Sequence, residues 1–184
     1  MISKQAICVL IACSMLSCST KSLSNKYNTF KQNAIYNIAC FIGGIAYSNY
    51  SAGNYSKAID AYEYQIRLLD TLLLDLDDLS KSNTIKTDYA LSLNNLGFLY
   101  STIGELAIAE KHLVRALEIR KNVLGEHHPD YAISLNNLGS HYSNIGNYTN
   151  AEKYYLHALN KIKEYSGENN LDYALCLNNL GALY

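Results

Sequence analysis

The chain has no tryptophan, a single proline (Pro129) and no surplus of either charge: 15 Lys and Arg face 16 Asp and Glu over 184 residues, a formal net charge of −1. Each shortage excludes something. A surface that neutralises many phosphates needs an excess of Lys and Arg, so nucleic acid is not an expected partner. With 49% apolar residues and almost no proline, the chain has too much to bury to stay disordered. There is no Gly-rich phosphate loop and no Ser or Cys in a nucleophile motif. Asp75, Asp77 and Asp78 cluster without the glycine and distal glutamate of a calcium loop. His112, His141 and His157 are scattered, and the adjacent His127 and His128 lack the spacing or second ligand pair of a zinc site. The expectation is no metal, no cofactor and no catalysis.

Long hydrophobic runs are also missing. The one apolar run near the start, Ala6 to Leu16, follows a lone Lys4 and is too short to span a bilayer comfortably. Residues 1–18 have the layout of a secretory signal peptide and resemble a bacterial lipoprotein leader. Ser17-Cys18 supplies the small residue before a cysteine to be lipidated, and Leu10-Ile11-Ala12-Cys13 is a second match with less apolar chain ahead of it. The reading adopted is lipidation at Cys18, which implies an extracytoplasmic protein anchored in the bacterial periplasm or outer membrane. An ordinary cleaved signal (a secreted protein) or an uncleaved anchor are the alternatives. Residues 19–32 are Ser-, Lys- and Asn-rich and are expected to be a flexible tether. Cys40 and Cys176 lie far apart within helical patterns, so they read as small core residues rather than a disulfide.

What the chain does have is 17 tyrosines and an internal repeat. DYALSLNNLGFLY starts at Asp88, DYAISLNNLGSHY at Asp130 and DYALCLNNLGALY at Asp172, 42 residues apart each time. Residues 88–129 and 130–171 share 21 identities in 42, and 88–100 and 172–184 share 11 in 13. Within a unit, Leu93, Leu96, Gly97 and Tyr100 fall on one helical face. Gly97 costs a helix about 1 kcal/mol relative to alanine. Its recurrence as Gly139 and Gly181 implies a partner helix that approaches closely. Gly104 and Gly146 are expected to end the first helix. A second helix follows over about Leu106 to Leu124, with Ala109, Leu113, Ala116 and Leu117 recurring as Ala151, Tyr155, Ala158 and Leu159. Pro129 closes the unit and leaves Asp130 to cap the next helix.

The ladder Leu93, Leu96, Gly97, Tyr100, Ala109, Ala116 resembles the tetratricopeptide repeat. The 42-residue period, the "DYA…LNNLG.LY" helix and the "LGEHHPD" linker are similar to its kinesin-light-chain variety. The resemblance covers about residues 86 to 184. It implies an all-α solenoid of antiparallel helix pairs in a right-handed superhelix, whose first helices line a concave groove for an extended peptide. The units are full at 87–129 and 130–171 and partial at 172–184. A degenerate unit lies upstream at about 33–75: Gly53-Asn54-Tyr55 matches Gly146-Asn147-Tyr148, with Ala46 in place of the helical glycine. A polar loop is expected over 76–86. Since 172–184 carries no polar capping changes, it reads as the start of a further unit in a longer protein.

In the resembled family the groove face corresponds to Asn95, Phe98, Asn137, Ser140, Asn144 and Asn179, with Asn94, Asn136 and Asn178 beside them. An asparagine amide both donates and accepts, so repeating it every 42 residues makes a ladder suited to peptide backbone whatever its side chains. The competing use is that one asparagine of each pair bonds within its own repeat to fix helix packing. The expected partner is a protein or extended peptide, with membrane contact through the N-terminal lipid anchor. The second functional reading is a sensing or recruiting region of a larger protein, for which the resemblance allows a protease-like or kinase output domain beyond Tyr184.

Overall fold

The computed structural model describes residues 21–76 and 79–184, with side chains at 27–76 and 81–184. The leader at 1–18, with Cys13 and Cys18, lies outside the described residues. Among the described residues seven helices follow one another: α1 (Lys21–Ser51), α2 (Tyr55–Leu74), α3 (Leu79–Thr102), α4 (Leu106–Leu124), α5 (Pro129–Asn144), α6 (Tyr148–Ser166) and α7 (Leu171–Gly181). Among the described residues there is no strand, and no helix is long and apolar enough to cross a membrane.

The helices form antiparallel pairs, α1 with α2, α3 with α4 and α5 with α6, and each second helix also packs on the first helix of the next pair. The result is an all-α solenoid. The three hairpin turns share one geometry. Gly104 (φ +87°) and Gly146 (φ +75°) adopt the left-handed backbone that L side chains avoid. The next amide then reaches back to the helix, Glu105 N–H to Tyr100 O and Asn147 N–H to Tyr142 O, both at 2.9 Å. This closes off the last carbonyls of the first helix.

The core is a row of small clusters rather than one centre, as expected when each unit touches only its neighbours. Ala46, Ala58, Tyr62, Leu96 and Leu99 bury one interface; Ala90, Leu93, Ala116 and Ile119 the next; Tyr131, Leu135, Tyr155, Ile162 and Cys176 the last. Two of the three recurring helical glycines have the expected cause, while a Cβ on Gly181 would meet nothing within 4 Å. A Cβ on Gly97 would lie 2.7 Å from Leu113 Cγ, and one on Gly139 would lie 2.6 Å from the Tyr155 ring.

Four expectations require correction. Residues 21–32 are helical rather than a tether, so α1 starts at Lys21 instead of near Asn33. No glycine or proline interrupts the stretch, and downstream packing through Ala39 with Leu69 and Leu72 supplies a nucleus from which the helix extends. The loop at 76–86 ends by Leu79, where α3 begins. Ile85, in that stretch, is buried against the same cluster, worth about 1.5–3 kcal/mol. Cys40 is exposed, whereas Cys176 is buried as expected. Finally, the cap of α5 is His128, whose Nδ1 accepts from Asp130 N–H at 3.1 Å. Asn170, 42 residues on, caps α7 by accepting from Tyr173 N–H at 2.9 Å. His128 thus occupies the capping position that Asn170 fills in the next unit.

Candidate functional site

α1, α3, α5 and α7 each touch the next of their kind, which makes the first helices one continuous inner wall. The paired asparagines stand on that wall, and their amides join successive units. Asn137 Nδ2 donates to Asn94 Oδ1 at 3.0 Å, and Asn179 Nδ2 donates to Asn136 Oδ1 at 3.1 Å. The second asparagine of each unit therefore reaches back to the first asparagine of the unit before. Asn95 has no such partner, because the degenerate unit carries Gly43 and Gly44 at the paired position. It donates instead to the Tyr62 hydroxyl at 3.1 Å.

The members differ in access. Asn94 is nearly buried at 5% exposure, and its carbonyl is occupied by Asn137, so it works on the neighbouring unit more than on the open surface. Asn95, Asn136, Asn137 and Asn179 are half-buried, while Asn144 and Asn178 are exposed. Each donor asparagine keeps its own Oδ1 and a second N–H beyond the rung it makes. Asn144 reaches Ser101 Oγ at 3.5 Å, and that hydroxyl also lies 3.4 Å from Nδ1 of buried His141. Burial pushes the Tyr155 hydroxyl above the ordinary phenol value, and the nearby Ser140 hydroxyl works against that shift.

The N-terminal part of the wall is aromatic. Phe98, 41% exposed, meets the Tyr50 ring edge-on at 6.1 Å, and Tyr47 and Tyr55 flank Tyr50 at 6.4 and 6.2 Å. A cavity of about 130 Å³ opens between Tyr47, Tyr50, Phe98 and Asn137. Sequence reading missed Tyr47, Tyr50 and Tyr62; the signal was the exchange of the Asn pair for Gly43-Gly44, which line one cavity with Tyr47 and Tyr62. A cavity of about 720 Å³ lies on the second-helix side near Ile66, His112 and Arg115 and touches none of the paired asparagines.

The ion pairs lie elsewhere. Arg67–Glu63, Arg115–Glu118 and Lys161–Glu164 are helical pairs at 3.8, 3.4 and 2.9 Å on second helices. Such pairs contribute about 0.5 kcal/mol or less each. His127 pairs with Glu164 at 3.2 Å on the exterior. A brace between units had not been foreseen: the Tyr100 hydroxyl donates to Glu63 at 2.8 Å, Tyr142 to Glu110 at 2.5 Å, and Tyr184 to Glu152. Burial, then the Glu63 bond, pushes Tyr100 up to about 12, so it stays a donor at any ordinary pH. Inside α4, Arg120 is buried and donates to Ser134 Oγ at 2.7 Å and Asp130 O at 3.0 Å.

Residues 88–145 and 130–184 match the family model described as the tetratricopeptide repeat. Among solved structures, 63 chains match. One is the crystal structure of BtubC (BKLC) from P. vanneervenii, with a TM-score of 0.67 and 21% identity over 97% of this chain. The match spans 62% of that protein's length. At this identity the likeness speaks to fold. No curated protein matches the chain.

Proposed function

We propose, from the premise that the chain belongs to the tetratricopeptide repeat family, that its inner wall holds an extended segment of a partner protein along the asparagine ladder. Arrays of this family are protein-binding scaffolds, and the 42-residue period fits the kinesin-light-chain type. The observation that carries the finer reading is the row of half-exposed amides at Asn95, Asn137 and Asn179, all on first helices, each with an uncommitted donor and acceptor. Amides so spaced serve backbone groups, while Phe98, Ser140 and Asn144, which differ between units, set which side chains are accepted.

Panning a random dodecapeptide library on the immobilised full chain tests this. Enriched peptides should bind the wild type and lose at least tenfold affinity on the Asn95→Ala/Asn137→Ala protein, the scale of two hydrogen bonds. If nothing is enriched, or the double variant binds as well, the ladder is a packing device alone.

The second part of the proposal is location. The layout of residues 1–18 supports a lipid anchor at Cys18, which would hold the array outside the cytoplasm at a bacterial membrane. Labelled palmitate should enter the protein and disappear on Cys18→Ala. Unlabelled wild-type protein would remove the anchor.

A further inference from the structure

The first unit breaks the ladder in an informative way. Where later units carry Asn94 and Asn136, it carries Gly43, and where they carry Ala116 and Ala158 on the second helix, it carries Gln65. The amide has moved from one helix to the other. A Cβ on Gly43 would lie 2.5 Å from Gln65 Nε2 and 2.9 Å from its Oε1, so glycine is what lets the glutamine lie across the inner wall. Gln65 is 93% buried, and its Oε1 has no hydrogen-bond partner. In the later units the corresponding amide oxygen accepts from the next unit's asparagine; here Asn95 turns to Tyr62 instead, and the acceptor stays unused.

Beside it, Gly44 leaves open space: a Cβ there would meet nothing within 4 Å. Together these changes open a cavity of about 310 Å³, lined by Gly43, Gly44, Tyr47, Gln65, Asp88 and Asn95 among others. The charged residue of the lining is Asp88, and no Lys or Arg faces it. Its Oδ2 already accepts from the Tyr36 hydroxyl at 2.6 Å. A carboxylate has about four acceptor positions, so one donor does not exhaust it. An orphan carbonyl oxygen and a carboxylate, on two residues that line one cavity, suit a cation with several N–H donors.

We propose that this pocket takes the side chain of a lysine or arginine of the bound segment, its cationic end donating to Gln65 Oε1 beside Asp88. The inference rests on the groove reading above and specifies one of its subsites. The Tyr47–Tyr50–Phe98 surface next to it receives an apolar residue of the same segment.

The test uses the peptides enriched on the full chain. A Lys or Arg should recur at a fixed distance from an aromatic or large apolar residue. A synthetic copy with norleucine in place of the basic residue should bind the wild type roughly tenfold or more weakly, the scale of a charge-assisted bond to a buried acceptor. On Gln65→Leu, which removes the acceptor at similar volume, and on Gly44→Asn, which adds a side chain where a Cβ meets nothing within 4 Å, the two peptides should bind alike. Melting temperatures of both variants at or above wild type show that the fold is intact. Enriched peptides without a basic position, or a norleucine penalty unchanged on both variants, overturn the subsite and leave the groove standing. An absence of any enriched peptide overturns both.

Discussion

Substituting alanine for the helical glycines has a sign that depends on the neighbour, and the structure fixes it at each position. On helix propensity alone every such change should stabilise by up to about 1 kcal/mol. At Gly44 nothing opposes that gain, because the added methyl meets open space. At Gly139 the methyl would sit 2.6, 2.7 and 3.0 Å from three ring atoms of Tyr155. That ring is 3% exposed and packed among Ala132, Ala151 and Ala158, so it has nowhere to go. Overpacking of this kind costs about 1–3 kcal/mol, leaving a net loss of about 0–2 kcal/mol after the propensity gain. For a chain of this size about 1 kcal/mol moves Tm by roughly 2–4 °C. Gly44→Ala should therefore melt a few degrees above wild type and Gly139→Ala a few degrees below, read by circular dichroism and by urea midpoint. If Gly139→Ala rises as much as Gly44→Ala, the close approach of α5 and α6 is not what keeps glycine there.

Burial holds His112, His141 and His157 below the ordinary imidazole value of 6.5. The unfolded chain therefore takes up protons first, so stability is full above about pH 6.5 and falls as pH drops through that value toward the lower folded-state values. The urea midpoint should decline between pH 7 and 5. His141 faces Ser101, the Tyr142 ring and Glu110 and stands 42 residues after buried Leu99 with its Nε2 unpaired. His141→Leu should raise the midpoint at pH 5 and flatten the profile; an unchanged slope would refute the assignment. Arg120→Met should be within about 1 kcal/mol of wild type, whereas Arg120→Ala should lose about 2–4 kcal/mol through the cavity it leaves, measured by urea unfolding. Tyr142→Phe should lose about 1–2 kcal/mol, because the charged Glu110 carboxylate forfeits the hydrogen bond that the Tyr142 hydroxyl donates to it; no change would make the brace between units incidental.

The repeat was legible because helix packing is written in residue size. Gly97 opposite Leu113 and Gly139 opposite Tyr155 are visible as paired small and large letters, and α4 runs from Leu106 to Leu124 as its apolar pattern indicates. The start of α1 was not legible, since Lys21 to Gln32 is polar and its helicity comes from continuity with a packed segment, not from its own pattern. The position of the asparagines could be read, but not the target of each amide. Asn137 and Asn95 are the same letter in the same register, yet one reaches Asn94 and the other Tyr62, because that choice depends on what the preceding unit offers 33 or 43 residues away.

Each rung of the inner wall has a polarity: the later unit gives a hydrogen and the earlier one receives it. Units 88–129 and 130–171 carry both halves of that exchange in their own Asn-Asn pair. A duplicated copy spliced between them would meet a ready acceptor on one side and a ready donor on the other. Tandem duplication in the gene could thus lengthen the inner wall stepwise, with no compensating change at either junction.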